Sequence, residues 1–231
     1  MIVQAMMWAL AASGWVAPAW DVLMIPTLWA PWSFNIMVWL TSTVDFTFAA
    51  TWWNCYSITT DASWNAIWPS DTVNKIIFYS WLTSTVTNSF ASASVPTWVT
   101  VIGWNLVSSN HTSTDQIYVH SWLTSTVTTT YAAPWTLQTW IGRDDTNTNL
   151  LSSNRWQDDI YLYVWTDVTN ITSSIQAPAT DCTWCDMDSD WNLWTSDIWT
   201  NSYYKHSGFT TTILSTTAAP SWTLYDFWIN K

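Results

Sequence analysis

Residues 121–131 read SWLTSTVTTTY, and nearly the same phrase stands at 80–90 (SWLTSTVTNSF) and at 38–48 (VWLTSTVDFTF). Two weaker copies follow, VWTDVTNITSSI from Val164 and SGFTTTILSTT from Ser207. The anchor positions Trp39, Trp81, Trp122, Trp165 and Gly208 are thus 42, 41, 43 and 43 residues apart. A fixed period of this length marks a repeat architecture and must be read before any local structure.

Other positions keep step with the anchors. A proline follows at Pro96, Pro134, Pro178 and Pro220, and an Asn opens an apolar run at Asn65, Asn105, Asn149 and Asn192. A tyrosine-rich run precedes each anchor (KIIFYS, QIYVHS, IYLYV, YYKHS). Each unit therefore reads as four short strands, in the third unit TWVTVIGW, NLVSSN, QIYVHS and LTSTVTTTY, with turns rich in Asn, Asp, Ser and Thr. No interval has room for a crossover helix, so the strands pair antiparallel as a meander. Such a sheet cannot bury both faces alone, whereas a ring of them can.

The expectation is an all-β chain, a single β-propeller over residues 1–231 with four-stranded antiparallel blades. Five sets of strands run from about Ser13 to Thr217, and one further first strand lies in APSWTLYDFWINK. A five-bladed ring sealed by that strand is the reading; a fragment of a six- or seven-bladed ring is the alternative. Residues 1–12 are an extra strand or a leader.

Composition excludes several function classes. All sixteen acidic residues are Asp, against five Lys and Arg, for a net charge of -11. That balance opposes nucleic-acid binding, which needs a basic face. No apolar run is long enough for a membrane-spanning helix. Cys55, Cys182 and Cys185 are too few for a disulfide scaffold, and Cys182 and Cys185, three apart in a strand, point to opposite faces and read as ordinary small residues.

Tryptophan and glycine are out of proportion: 24 Trp and 4 Gly, where about 7% Gly predicts roughly 16. The anchor is Trp in four units and Gly208 in the fifth, and those two residues do not substitute for one another in any packed site. Trp64, Trp104 and Trp191 adjoin the Asn-led turn. Most Trp positions are therefore read as glycine, through a UGA codon decoded as glycine at the source and translated here as tryptophan.

The sharpest local motif is Asp186-Met-Asp188-Ser-Asp190-Trp191-Asn192 with Asp197 beyond. Oxygen ligands at alternate positions, a glycine-like sixth and an acid at the twelfth fit a calcium loop. The candidate metal ligands are Asp186, Asp188, Asp190, Asn192 and Asp197, with calcium the one cofactor expected. The bland reading is a polar hairpin turn, since Asp61 and Asp145 occupy similar places. No catalytic residue is assigned. His120 and His206 share one position in two units and read as a structural slot, and His111 falls in a loop.

The calcium motif resembles the DxDxDG loops of integrin-type propellers, departing from them at Trp191 and Trp194. The repeat as a whole is similar to NHL-like and tachylectin-like blades of about 42 residues. The resemblance implies a non-enzymatic binding or structural module at a cell or virion surface or outside the cell, taking a glycan or protein ligand without membrane insertion, within a larger chain or assembly. The alternative is a five-bladed carbohydrate-active enzyme, a glycoside hydrolase or lyase, with Asp144 and Asp186 as its carboxylates.

Overall fold

A computed structural model describes residues 22–26, 33–38, 46–49, 57–61, 65–80, 85–92, 94–110, 116–132, 138–144, 149–154, 157–164, 167–178, 181–188, 190–219 and 228–229. Residues 1–12, Trp39, Cys55, Trp64, Trp81, His111, Pro134, Asp145, Trp165 and Pro220 lie outside the described residues. Twenty strands are described. They are β1 (Val22–Pro26), β2 (Ser33–Val38), β3 (Phe46–Ala49), β4 (Thr59–Thr60), β5 (Ala66–Ser70), β6 (Lys75–Tyr79) and β7 (Val86–Ala91). Next come β8 (Pro96–Ile102), β9 (Asn105–Asn110), β10 (Gln116–His120), β11 (Val127–Ala132), β12 (Gln138–Arg143), β13 (Asn149–Asn154), β14 (Asp159–Val164) and β15 (Asp167–Gln176). The chain ends with β16 (Cys182–Met187), β17 (Leu193–Asp197), β18 (Ser202–His206), β19 (Ile213–Ala218) and β20 (Trp228–Ile229). No helix among the described residues is long and apolar enough to cross a membrane.

Four sheets, β4–β7, β8–β11, β12–β15 and β16–β19, are each an antiparallel meander of consecutive strands, and they are arranged as a β-propeller. A further hydrogen-bonded set has the order β20-β1-β2-β3, with Leu23 opposite Ile229 and Met24 opposite Trp228. The extra first strand foreseen near the C-terminus thus lies beside β1. First strands face one another from sheet to sheet: β8 meets β4, β12 meets β8, β16 meets β12, and β20 meets β16.

Burial falls outward across each sheet. First strands β8 and β16 are buried at every residue, second strands nearly so, and the fourth strands β7, β11 and β19 are almost wholly exposed. The physical reason is visible in adjacent residues of one strand, which point to opposite faces. Leu106 packs with Ile67, Ile76 and Val99, toward the preceding sheet, while its neighbour Val107 packs with Ile141 and Leu150, toward the following one. Leu150 and Leu151 divide in the same way between two clusters. A sheet covered on both sides carries continuous apolar runs instead of alternation.

Two details depart from the sequence reading. The fourth strand starts at Val86, Val127 and Ile213, because the residues just after the anchor form a turn closed by Ser121 N to Thr126 O at 2.8 Å and Ser207 N to Thr212 O at 2.9 Å. In strict alternation Cys182 and Cys185 face opposite sides, but a register shift between Cys182 and Trp184 brings both into one cluster with Leu151 and Ile160. Both are buried, and burial pushes the Cys182 thiol up to about 12. The pair is core packing.

Candidate functional site

The turn joining first and second strands holds the motif singled out from sequence. Its chemistry begins with a clamp. Asp188 Oδ1 accepts from Asn192 N (2.9 Å), Asn192 Nδ2 (3.1 Å) and Asp190 N (3.0 Å). The same clamp recurs where Asp61 accepts from Asn65 N and Nδ2, both at 2.9 Å. It recurs again where Asp144 accepts from Asn149 N at 3.2 Å and Nδ2 at 2.5 Å. An Asp side chain that satisfies turn amides stabilises the hairpin locally, which is why the pair repeats in step with the strands. The position equivalent to the clamp Asp is Asp144, one residue before the Asp145 expected. In the β8–β9 turn Ile102 takes that place, and Asn105 Oδ1 accepts from Trp122 N instead.

Of the five residues proposed to hold calcium, Asp188 and Asn192 meet in the clamp and Asp190 joins it through its main chain, while Asp197 stands at the far end of β17. Asp186 is buried in β16, and its Oδ1 accepts from Met187 N at 2.9 Å and, from the preceding sheet, Arg143 N at 3.3 Å. Asp188 is saturated by its clamp, by Trp194 Nε1 at 2.9 Å and by Lys205 Nζ at 2.9 Å. Asp190 is exposed at the turn. Asp197 ends β17, opposite Cys182, and its Oδ1 accepts from Trp199 N (2.6 Å) and Thr200 N (3.0 Å). Extended backbone advances about 3.3 Å per residue, so Asp197 stands about 16 Å along the chain from Asn192. Among the described residues no group of three or more His, Cys, Asp or Glu side chains is placed to hold a metal ion.

Charge in this region is compensated. Burial alone raises the Asp188 carboxyl, but the Trp194 indole, Lys205 and Asn192 outweigh it and hold the group below the usual range. Arg143 is buried with Nη1 donating to Val101 O of the preceding sheet at 3.0 Å. Desolvation pulls its guanidinium down while Asp186 and Asp144 push it back. The two carboxylates named for an enzyme therefore share one buried cation.

The histidines occupy one slot, as the sequence suggested. His120 Nε2 pairs with Ser108 Oγ at 2.9 Å and His206 Nε2 with Thr195 Oγ1 at 3.0 Å. The corresponding position in the β12–β15 sheet is Tyr163, whose hydroxyl accepts from Ser152 Oγ at 3.1 Å. In the β4–β7 sheet it is Tyr79, tilted against Trp68 with ring centroids 5.7 Å apart.

Sequence reasoning missed the Lys205–Trp194 pair that completes Asp188. Nζ lies over the Trp194 ring, 5.3 Å from its centroid. The signal was present: the equivalent positions in the other sheets are Phe78, Val119 and Leu162 on the third strand and Ile67, Val107 and Leu151 on the second.

Neither the family models nor the curated proteins yield a match. Among solved structures the chain is similar to a functionally unknown protein from Desulfotomaculum acetoxidans DSM 771, with a TM-score of 0.53 at 11% identity over 86% of this chain. The match spans 66% of that protein's length. Likeness at that identity concerns the fold alone.

Proposed function

We propose that this chain is a non-enzymatic binding or structural propeller module of a surface or extracellular protein, with a glycan or protein ligand. The observation that carries this reading is the recurrence of the Asp–Asn clamp at Asp61, Asp144 and Asp188. With the buried hydroxyl–ring pairs of the second and third strands, it commits polar groups to the same structural task from blade to blade. A catalytic centre instead requires titratable groups whose surroundings push their roles apart. The uncharged Ser/Thr-rich fourth strands, exposed in β7, β11 and β19, suit a solvent-facing module. We take the ring to have five blades of the NHL-like or tachylectin-like kind, with β20-β1-β2-β3 as the fifth.

The same proposal includes glycine at the exposed turn tryptophans. Among the described residues six other than glycine take positive φ: Asn74, Asp158, Asp181, Asn201, Trp122 and Trp191. Asn and Asp tolerate that region; for a bulky side chain it is an outlier. Trp122 (φ 56) occupies the anchor that is Gly208 (φ 59) in a later blade, and 60% of its surface is exposed. Codons at Trp122 and Trp191, or peptide masses from the native organism, test this directly; UGG codons there overturn it.

The binding reading is tested by screening the folded protein on a glycan array and assaying the bound glycans for hydrolysis. Binding without turnover is expected. Turnover abolished by Asp186→Asn or Asp144→Asn overturns the reading in favour of an enzyme.

A further inference from the structure

The repeat is broken at one clamp. Three sheets carry the Asp–Asn pair, and only the last of them adds an amine, since Lys205 stands where the other two have Phe78 and Leu162. Beside it, Trp194 replaces Ile67, Val107 and Leu151. These two substitutions converge on one oxygen. Asp188 Oδ2 receives Lys205 Nζ at 2.9 Å, Trp194 Nε1 at 2.9 Å and Asn192 Nδ2 at 3.2 Å. The Asp188 side chain is 1% exposed and that of Lys205 22%, so a primary amine and a carboxamide are held on the same buried carboxylate, with an indole ring beneath the amine.

We propose that this cluster is a modification site at which Lys205 and Asn192 join in an intramolecular amide cross-link, with Asp188 as proton carrier. Asp188 Oδ2 takes a proton from the Lys205 ammonium. The freed lone pair of Nζ attacks Asn192 Cγ, and a new Nζ–Cγ bond forms. Protons pass through Asp188 to Nδ2, the Cγ–Nδ2 bond breaks, and the nitrogen departs as ammonium. Nothing is oxidised or reduced, no further reactant enters, and Asp188 is returned unchanged. Breaking the ion pair makes the first transfer uphill, so the step is a slow, single maturation event whose feasibility rests on proximity and orientation. The product ties the β16–β17 turn to β18. The clamps at Asp61 and Asp144, which have no lysine at the matching position, serve as internal controls.

The test is the intact mass of the full chain, expressed from a gene with defined codons, before and after prolonged incubation at neutral pH. Wild type is expected to become lighter by one ammonia. Trypsin then fails to cut after Lys205, leaving the peptide from Trp156 to Lys231 whole, and tandem fragmentation places the bond between residues 192 and 205. Lys205→Arg keeps a cation on Asp188 but has no primary amine, and is expected to retain full mass. Circular dichroism of both proteins establishes that each is folded. A folded wild type that keeps its full mass and is cut at Lys205 overturns the proposal and leaves an ion pair only. Ligand binding is read separately, so either reading can fail without the other.

Discussion

Replacing Asp197 with Asn restores the residue that the two preceding sheets carry at the same register position, Asn110 and Asn154. In those sheets the side-chain oxygen accepts a main-chain N–H, from Gln116 at 2.7 Å or Gln157 at 3.4 Å. The amide nitrogen donates onward, to Ser94 Oγ at 2.8 Å or Gln157 Oε1 at 3.1 Å. Asp197 keeps the first task through Trp199 N and Thr200 N. Its Oδ2 has no hydrogen-bond partner among the described residues, although the residue is 2% exposed. A buried polar atom left unsatisfied costs about 1–3 kcal/mol, and more when charged. Asp197→Asn is therefore expected to stabilise the protein by about 1–3 kcal/mol at pH 7.

The pH dependence gives a second readout. Burial raises the Asp197 carboxyl, Asp181 and Asp158 add to this, and the bonds from Thr200 and Trp199 oppose it without cancelling it. The folded state thus holds this proton to higher pH than the unfolded chain, whose carboxyl titrates near 3.9. Stability from this group is full below about 3.9 and is lost as pH rises through the folded value. Urea denaturation of wild type and variant at several pH values from 4 to 7 should show a gap in favour of the variant that widens with pH. An Asp197→Asn protein less stable than wild type at pH 7 refutes the reasoning. A wild-type stability that rises with added Ca²⁺, and a variant that does not respond, would place Asp197 in a calcium site.

Gly142 sits where an added Cβ would fall 2.1 Å from Cys185 O, main chain against main chain. Gly142→Ala must push β12 from β16, and we expect a loss of more than about 3 kcal/mol or failure to fold, read by thermal melting. His120 and His206 are both held below the usual imidazole value by burial, partly offset by the main chain of Thr124 and Thr210. Their contribution is full above about 6.5 and is lost as pH falls through the folded values. The difference in stability between wild type and a His120→Gln/His206→Gln double variant should therefore shrink from pH 7.5 to pH 5.5; a constant difference counts against buried neutral imidazoles. Gly208→Trp is expected to cost about 1–2 kcal/mol, the price of a left-handed backbone for an L side chain. Trp122→Gly should be close to neutral, because relief of the same strain is offset by loss of the stacked Trp104–Trp122 pair, 5.5 Å apart. Equilibrium unfolding of both variants checks the two outcomes.

The period and strand order were legible because each unit repeats the same apolar runs between the same turn residues, with Asn65, Asn105, Asn149 and Asn192 opening the second strands. Strand ends were less so: LTST after the anchor has good β-propensity, yet residues 121–126 close on themselves as a turn. The metal motif was legible as spacing alone, and the strand that follows it spreads its members apart. Spacing by sequence suits a compact loop, but once Leu193–Asp197 is extended its last carboxylate is carried to the opposite end of the strand. Alternation misplaced Cys182 and Cys185 because a bulge adds one residue, and one residue reverses every side chain after it. Lys205 over Trp194 was readable only by comparing units position by position.

The outward fall in burial has a dynamic counterpart. Amides of β8, β12 and β16, shielded on both sides by neighbouring sheets, should exchange with deuterium only through large-scale opening, while those of β7, β11 and β19 exchange through fraying at the rim. Each blade would then unzip from its outer margin inward, and a protease or a modifying enzyme would meet the Ser/Thr-rich fourth strands long before it reached the clamps.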